Sequence, residues 1–181
     1  MAGGHMPGPA LERLRPSLSI DEILSRRIGP VLAGLRDRVQ ATAACFLWDG
    51  HHLCCLDKAL HQDGLVMQEL GAVSRNLDGG PWGWAVAHLL GRPLPRTGDA
   101  ALRRARRQAA TDLKSCGWCV DAVHGAPHWL RLAAPVCDGA GRPVACLALG
   151  ALPGRFDSAA RDAAGTALAE AAMQLSAELV R

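Results

Sequence analysis

The stretch from Leu130 to the C terminus constrains this chain most. An apolar run, LRLAAPVC, meets the polar turn DGAGR, a second apolar run, PVACLALG, follows, and after LPGRF the chain closes on an Ala-rich segment. Two apolar runs around a short Gly-containing turn predict a β-hairpin. The Ala-rich segment predicts a long helix. Each part leaves one apolar surface that must be covered, and laying the helix on the hairpin's sheet covers both.

A second hairpin is predicted upstream. In ATAACFLWDGHHLCCLDK, two extended segments flank Asp49-Gly50, one of the strongest short hairpin signals. Before it, Ser19 or Asp21 can cap a helix over DEILSRRI that Gly29-Pro30 interrupts, and a second helix runs from Val31 to Val39 with Val31, Leu32, Leu35 and Val39 at helical spacing. After it come a strand over Leu65 to Leu70, a turn at Asp78-Gly79-Gly80-Pro81, a helix from Trp82 to Leu90 with proline near its first turn, and a Pro-containing loop from Arg92 to Thr97. A basic helix over Ala100 to Lys114, a strand over Gly117 to Val123 and a loop at His124 to Pro127 complete the order. Mixed helices and strands, with the strands largely in antiparallel pairs, predict an α+β fold with one sheet covered by helices.

Composition narrows the class. A chain of 181 residues suits one domain with a continuous core. It is 49% hydrophobic, yet no window reaches the length of a membrane-spanning helix. A net charge of +3 is too small to argue for nucleic acid by itself. The start lacks the apolar core of a secretory signal, and seven cysteines without one suggest reduced thiols in the cytoplasm. Met1 to Met6, MAGGHM, has the look of an expression-tag remnant, Pro7 to Ser19 reads as linker, and residues 20–181 form the expected domain.

The order of parts resembles the C-terminal effector-binding domain of IclR-family transcriptional regulators. There the closing segment reads "IAAPV.D..G.PVAAL", then a "GP..R" turn and a terminal helix. The first hairpin, "hLavldgg.vvyldk" in the family, is CFLWDGHHLCCLDK here, with Leu56-Asp57-Lys58 in place. The helix start "G.aGKALLA" is similar to Gly80-Pro81-Trp82-Gly83-Trp84-Ala85, with Trp84 for the usual Lys. "rGyavD.gE" is similar to Cys116-Gly117-Trp118-Cys119-Val120-Asp121, without the Glu that follows it in the family. The likeness runs from about Pro30 to Arg181. It implies a GAF-like or profilin-like antiparallel sheet, a small organic effector, and a homodimer or homotetramer. It also implies control of DNA binding through a winged helix-turn-helix domain, for which the residues before Pro30 are too few. An excised sensor domain or a stand-alone relative is expected, and no cofactor.

The resemblance also implies where the ligand sits. Small-acid sensors of the family use an Asp, a Cys beside the "IAAPV" strand, two Ser on the next strand and backbone near the Gly-Lys turn. Carried over by position, these are Asp121, Arg131, Ala148 and Gly150, and Pro81 and Trp82. With both hydroxyls gone, a small acid such as glyoxylate fits poorly. An aromatic or larger organic acid fits better, with Trp82, Trp84 and Trp129 as candidate walls and Arg131 as partner for a carboxylate. Trp82 and Trp84, two apart on a helix, cannot share one face. Trp48 and Trp118 read as core. Arg131 could instead pair internally with Asp121 and close the pocket, which would leave a ligand-free oligomerisation module.

Other constellations are weaker. Cys116-x-x-Cys119 has redox spacing, but the motif ends a helix and opens a strand, the reverse of the order that activates a thiol. A thiol redox sensor stays as an alternative reading. Cys54, Cys55, Cys116 and Cys119 with His51 or His52 could supply zinc ligands, yet neighbours such as Cys54 and Cys55 point to opposite faces of a strand. No nucleophile elbow, phosphate loop or zinc-binding helix motif flags an enzyme. RRARR at Arg103 to Arg107 reads as a solvated helix face.

Overall fold

The computed structural model describes residues 9–62, 68–122, 129–152, 154 and 156–180, with side chains from residue 22 onward. The chain enters on a helix, α1 (Pro9–Val39). The expected linker over Pro7 to Ser19 is therefore helical from Pro9, and the expected break at Gly29-Pro30 is absent. Proline inside a helix removes one hydrogen bond and crowds the preceding turn. Tertiary packing outweighs that cost here: Leu24, Ile28, Leu32 and Leu35 recur on one face and are all buried.

The first hairpin pairs β1 (Thr42–Trp48) with β2 (Leu53–Ala59). Its turn is built as the sequence predicts. Asp49 Oδ1 accepts from the backbone N–H groups of His51 and His52, at 2.7 and 2.6 Å, and Gly50 takes φ 94°. The next strand is not where the apolar run points. Residues 65–67 of the expected Leu65–Leu70 strand lie outside the described residues, and 68–70 lead into a turn at Gly71, φ 74°. Pairing with β2 occurs instead at β3 (Val73–Ser74), because the turn brings the Ala72 carbonyl 3.0 Å from the Cys55 N–H.

Helix α2 (Pro81–Leu89) starts on its proline and is buried continuously from Pro81 to Ala87. Gly83 is required there, since a β-carbon would come 2.3 Å from the Leu77 carbonyl oxygen. Helix α3 (Ala100–Cys116) is capped by Asp99, whose side chain accepts from the N–H groups of Ala101 and Leu102, and it ends at Gly117 with φ 78°. Then follow β4 (Cys119–Asp121), β5 (Leu130–Cys137), β6 (Pro143–Ala151) and α4 (Ser158–Leu179). The expected loop at His124 to Pro127 lies outside the described residues.

The strands form one antiparallel sheet in the order β3-β2-β1-β6-β5-β4. The fold is α+β, with a long C-terminal helix, as expected. β6 is central, and all nine of its residues are buried. Strand alternation sends Ala145, Leu147 and Leu149 to the side of α1 and α4, and Cys146 and Ala148 to the side of α2 and α3. The approach of α4 is close: a β-carbon on Gly165 would lie 2.2 Å from the Trp118 ring. Trp48 and Trp118 are core residues, as read from the sequence. Among the described residues, no helix is long and apolar enough to cross a membrane.

Candidate functional site

The site is built on one row of the sheet. In the β4–β5 ladder Asp121 is the direct partner of Arg131, and in the β5–β6 ladder Arg131 is the partner of Gly150. All three positions face the α2 side, in register with alternating neighbours such as Cys119 and Ala133 of that core.

Asp121 is fully buried, and Arg131 Nη2 donates to its Oδ2 at 2.5 Å. Arg131 Nη1 donates to the Gly79 carbonyl at 3.3 Å, in the turn that leads into α2. The guanidinium lies 5.1 Å from the centroid of the Trp82 ring, and Trp82 stacks on Phe46 with centroids 4.5 Å apart and planes 18° from parallel. Phe46, Trp82 and Arg131 thus form one stack joining β1, α2 and β5. Burying such a pair is costly unless each charge keeps good partners; here the aspartate, a carbonyl and an aromatic face supply them. One donor is left over. Arg131 Nε is buried and has no hydrogen-bond partner among the described residues.

Cys119 ties β4 to the start of α2, its Sγ 3.6 Å from the Pro81 carbonyl. Complete burial pushes this thiol well up, the opposite of what a reactive thiolate requires. Cys116, its partner in the C-x-x-C spacing, is exposed at the end of α3. Cys54 is half-buried on β2 while its neighbour Cys55 is buried. Among the described residues, no three His, Cys, Asp or Glu side chains gather as a metal site.

Of the residues singled out from the sequence, Trp82, Asp121, Arg131 and Gly150 come together, with Pro81 buried at the head of α2. Ala148 faces the same core one step along β6. Trp129 directly precedes β5 and is 37% exposed. Trp84 diverges from Trp82, as their spacing requires; its Nε1 donates to the Asp78 carbonyl at 3.3 Å. Two members of the site were missed: Phe46 and the carbonyl of Gly79. Alternation from the Asp49-Gly50 turn puts Phe46 on one face of β1 with Trp48, but which helix covers that face is a long-range fact.

This sheet order, with helices on both faces and a long terminal helix, is the fold of the C-terminal domain of IclR-type transcriptional regulators. A regulator of this type from Silicibacter sp. TM1040 is 22% identical with TM-score 0.71, over 98% of this chain and 76% of that one. IclR of Thermotoga maritima is 19% identical with TM-score 0.69, over 97% and 76%. An IclR homologue from Microbacterium hydrocarbonoxydans, solved in complex with 4-hydroxybenzoate, is 16% identical with TM-score 0.66, over 90% and 69%. No family model matches the chain, and no curated protein matches it in sequence.

Proposed function

We propose that this is the effector-sensing domain of an IclR-type transcriptional regulator, binding a small organic acid at the Asp121–Arg131 centre. Pro81, Trp82, Trp129, Ala148 and Gly150 would line the site around the pair. The observation that carries this reading is Arg131 itself. Its guanidinium is oriented by Asp121 and lies over the Trp82 ring, yet its buried Nε lacks an acceptor among the described residues. A carboxylate or phenolic oxygen can take that donor while an aromatic body lies near the Trp82 and Phe46 stack. The complex of the Microbacterium homologue with 4-hydroxybenzoate supports ligands of this class.

The domain would act as a GAF-like sensor in the cytoplasm, as a homodimer or homotetramer and without catalysis. An effector that binds one arrangement of the oligomer more tightly shifts it toward that arrangement, and so changes DNA binding by a helix-turn-helix domain outside this sequence. Equal affinity for both arrangements would shift nothing.

A second reading has its own support. Trp82 is only 4% exposed, and Arg131 already engages Asp121, so these side chains fill much of the centre themselves. A module of that kind would oligomerise without a ligand. Thermal denaturation against a panel of aromatic and aliphatic acids, 4-hydroxybenzoate among them, separates the two. A sensor gains about 2.7 kcal/mol at a hundredfold excess over Kd, and Trp129→Ala reduces the gain. No shift with any acid favours the ligand-free module.

A further inference from the structure

The connection between α2 and α3 closes a cleft of about 580 Å³ lined by the second half of α2, residues 92–97 and the first turns of α3. That volume falls within the range of small-molecule sites, roughly 300–1,000 Å³. Trp84, Leu94 and Pro95 contribute apolar walls, Arg92, Arg96, Arg103, Arg106 and Arg107 contribute charge, and no Asp or Glu is among the lining residues. The solvated face expected for RRARR is thus only part of the picture. Spacings of three and four put Arg103, Arg106, Arg107 and Ala110 on one side of α3, toward the cleft.

The cleft is held in shape by its own cations. Arg103 Nη1 donates to the carbonyls of Thr97 and Gly98 at 2.8 and 2.7 Å, and Arg106 Nη1 donates to that of Pro95 at 2.7 Å. These bonds fasten the connection to α3. Arg106 lies 6.0 Å from the centroid of the Trp84 ring, with Nη2 3.9 Å from the Asp78 carboxylate. Its Nε is buried without a hydrogen-bond partner among the described residues. Arg92, Arg96 and Arg107 are exposed around this anchored centre.

We propose that this cleft binds a small aromatic polyanion, a planar ring bearing at least two carboxylate or phosphate groups, independently of the Asp121–Arg131 centre. The ring matches the walls made by Trp84, Leu94 and Pro95. One acidic group supplies the acceptor that Arg106 Nε lacks, and another reaches Arg96 or Arg107. A single charge would leave most of the arginines without a counterion, and an anion without a ring would leave the apolar walls wet. A nucleic-acid backbone matches less well, because the charge lines a recess with an indole in it rather than an open ridge.

Calorimetric titration of the full chain tests this with benzene-1,2,4-tricarboxylate and 1,4-phenylene bisphosphate as probes, which distinguish the two sources of charge. Saturable binding of either is expected, falling with added salt. Benzoate and citrate should bind at least about tenfold more weakly, as should the probe to the double variant Arg96→Ala/Arg107→Ala. Unchanged melting of that variant verifies its fold, and Arg26→Ala/Arg142→Ala, on α1 and the second hairpin turn, serves as the charge-matched control. The proposal is overturned if neither probe saturates, or if the double variant binds as well as the parent. It is overturned equally if the double variant loses only affinity for a random DNA duplex, which would make the arginines a phosphate-backbone patch. Trp129→Ala separates the two sites: it should leave probe affinity unchanged, and a loss there would place the probes at the Asp121–Arg131 centre instead.

Discussion

Arg131 and Asp121 face each other directly across the β4–β5 ladder, and the same ladder that pairs their backbones brings Nη2 to 2.5 Å from Oδ2. Backbone register and ionic contact therefore depend on one another. A one-residue slip of β4 would turn the carboxylate to the opposite face of the sheet, against the apolar core of α1 and α4.

Breaking this pair from one side should be expensive. Arg131→Met removes the guanidinium from a fully buried carboxylate, and a loss of about 3–5 kcal/mol is expected in urea unfolding. Asp121→Leu combined with Arg131→Met should recover much of it. A double variant no more stable than Arg131→Met alone would show that the pair is not the source of the loss.

Gly165→Ala normally favours a helix, by up to about 1 kcal/mol. Here the opposite sign is expected. A methyl at this position would lie within 2.2 Å of the Trp118 ring, and overpacking of that kind costs about 1–3 kcal/mol. Gly83→Ala should be worse, since its clash is with the Leu77 backbone and no side chain can swing aside. A rise in melting temperature for either variant would contradict the packing described.

The second hairpin turn should respond to acid. Burial works against the Asp138 carboxylate, but hydrogen bonds from the Arg142 backbone, the Arg142 side chain and the Ala140 N–H outweigh it, and its carboxyl is held below the ordinary value. A group lowered by folding contributes stability above its unfolded pKa of about 3.9, and that contribution fades as pH falls through the lower folded value. Asp138→Asn should thus be less stable than the parent at neutral pH, with the gap closing in acid below about pH 3. A gap independent of pH would assign the effect to something other than ionisation.

Thiol chemistry should be strongly selective. Burial pushes the thiols of Cys45, Cys119 and Cys146 well up, whereas Cys116 is exposed at the end of α3. Brief alkylation of the folded protein, read by peptide mass spectrometry, should mark Cys116 first and leave those three unmodified. Rapid labelling of Cys119 would revive a redox role for the Cys116–Cys119 spacing.

Both hairpins and the terminal helix were legible because their signals are local. Asp49-Gly50 and Asp138-Gly139-Ala140-Gly141 build their turns from side chains a few residues away, and the apolar runs beside them have nowhere else to pair. What the sequence concealed depends on distant partners. Pro30 looks like a helix break until the buried face through Leu24, Ile28 and Leu32 is known. β3 at Val73–Ser74 is two residues long and outward-facing, too short and too exposed for a periodic pattern. The Asp121–Arg131 row was reachable through family positions, whereas the stack of Trp82 on Phe46 needed the fold itself. Arginines in RRARR carry no mark of which neighbours they will meet.

With β6 enclosed on both sides, the two helical layers share a single wall only one backbone thick. Any residue there that gains volume must press on one layer, and any that loses volume must let one sag. Tolerated change in this strand is therefore restricted to swaps of similar bulk, and sequence drift is displaced to the outward faces of α1, α3 and α4.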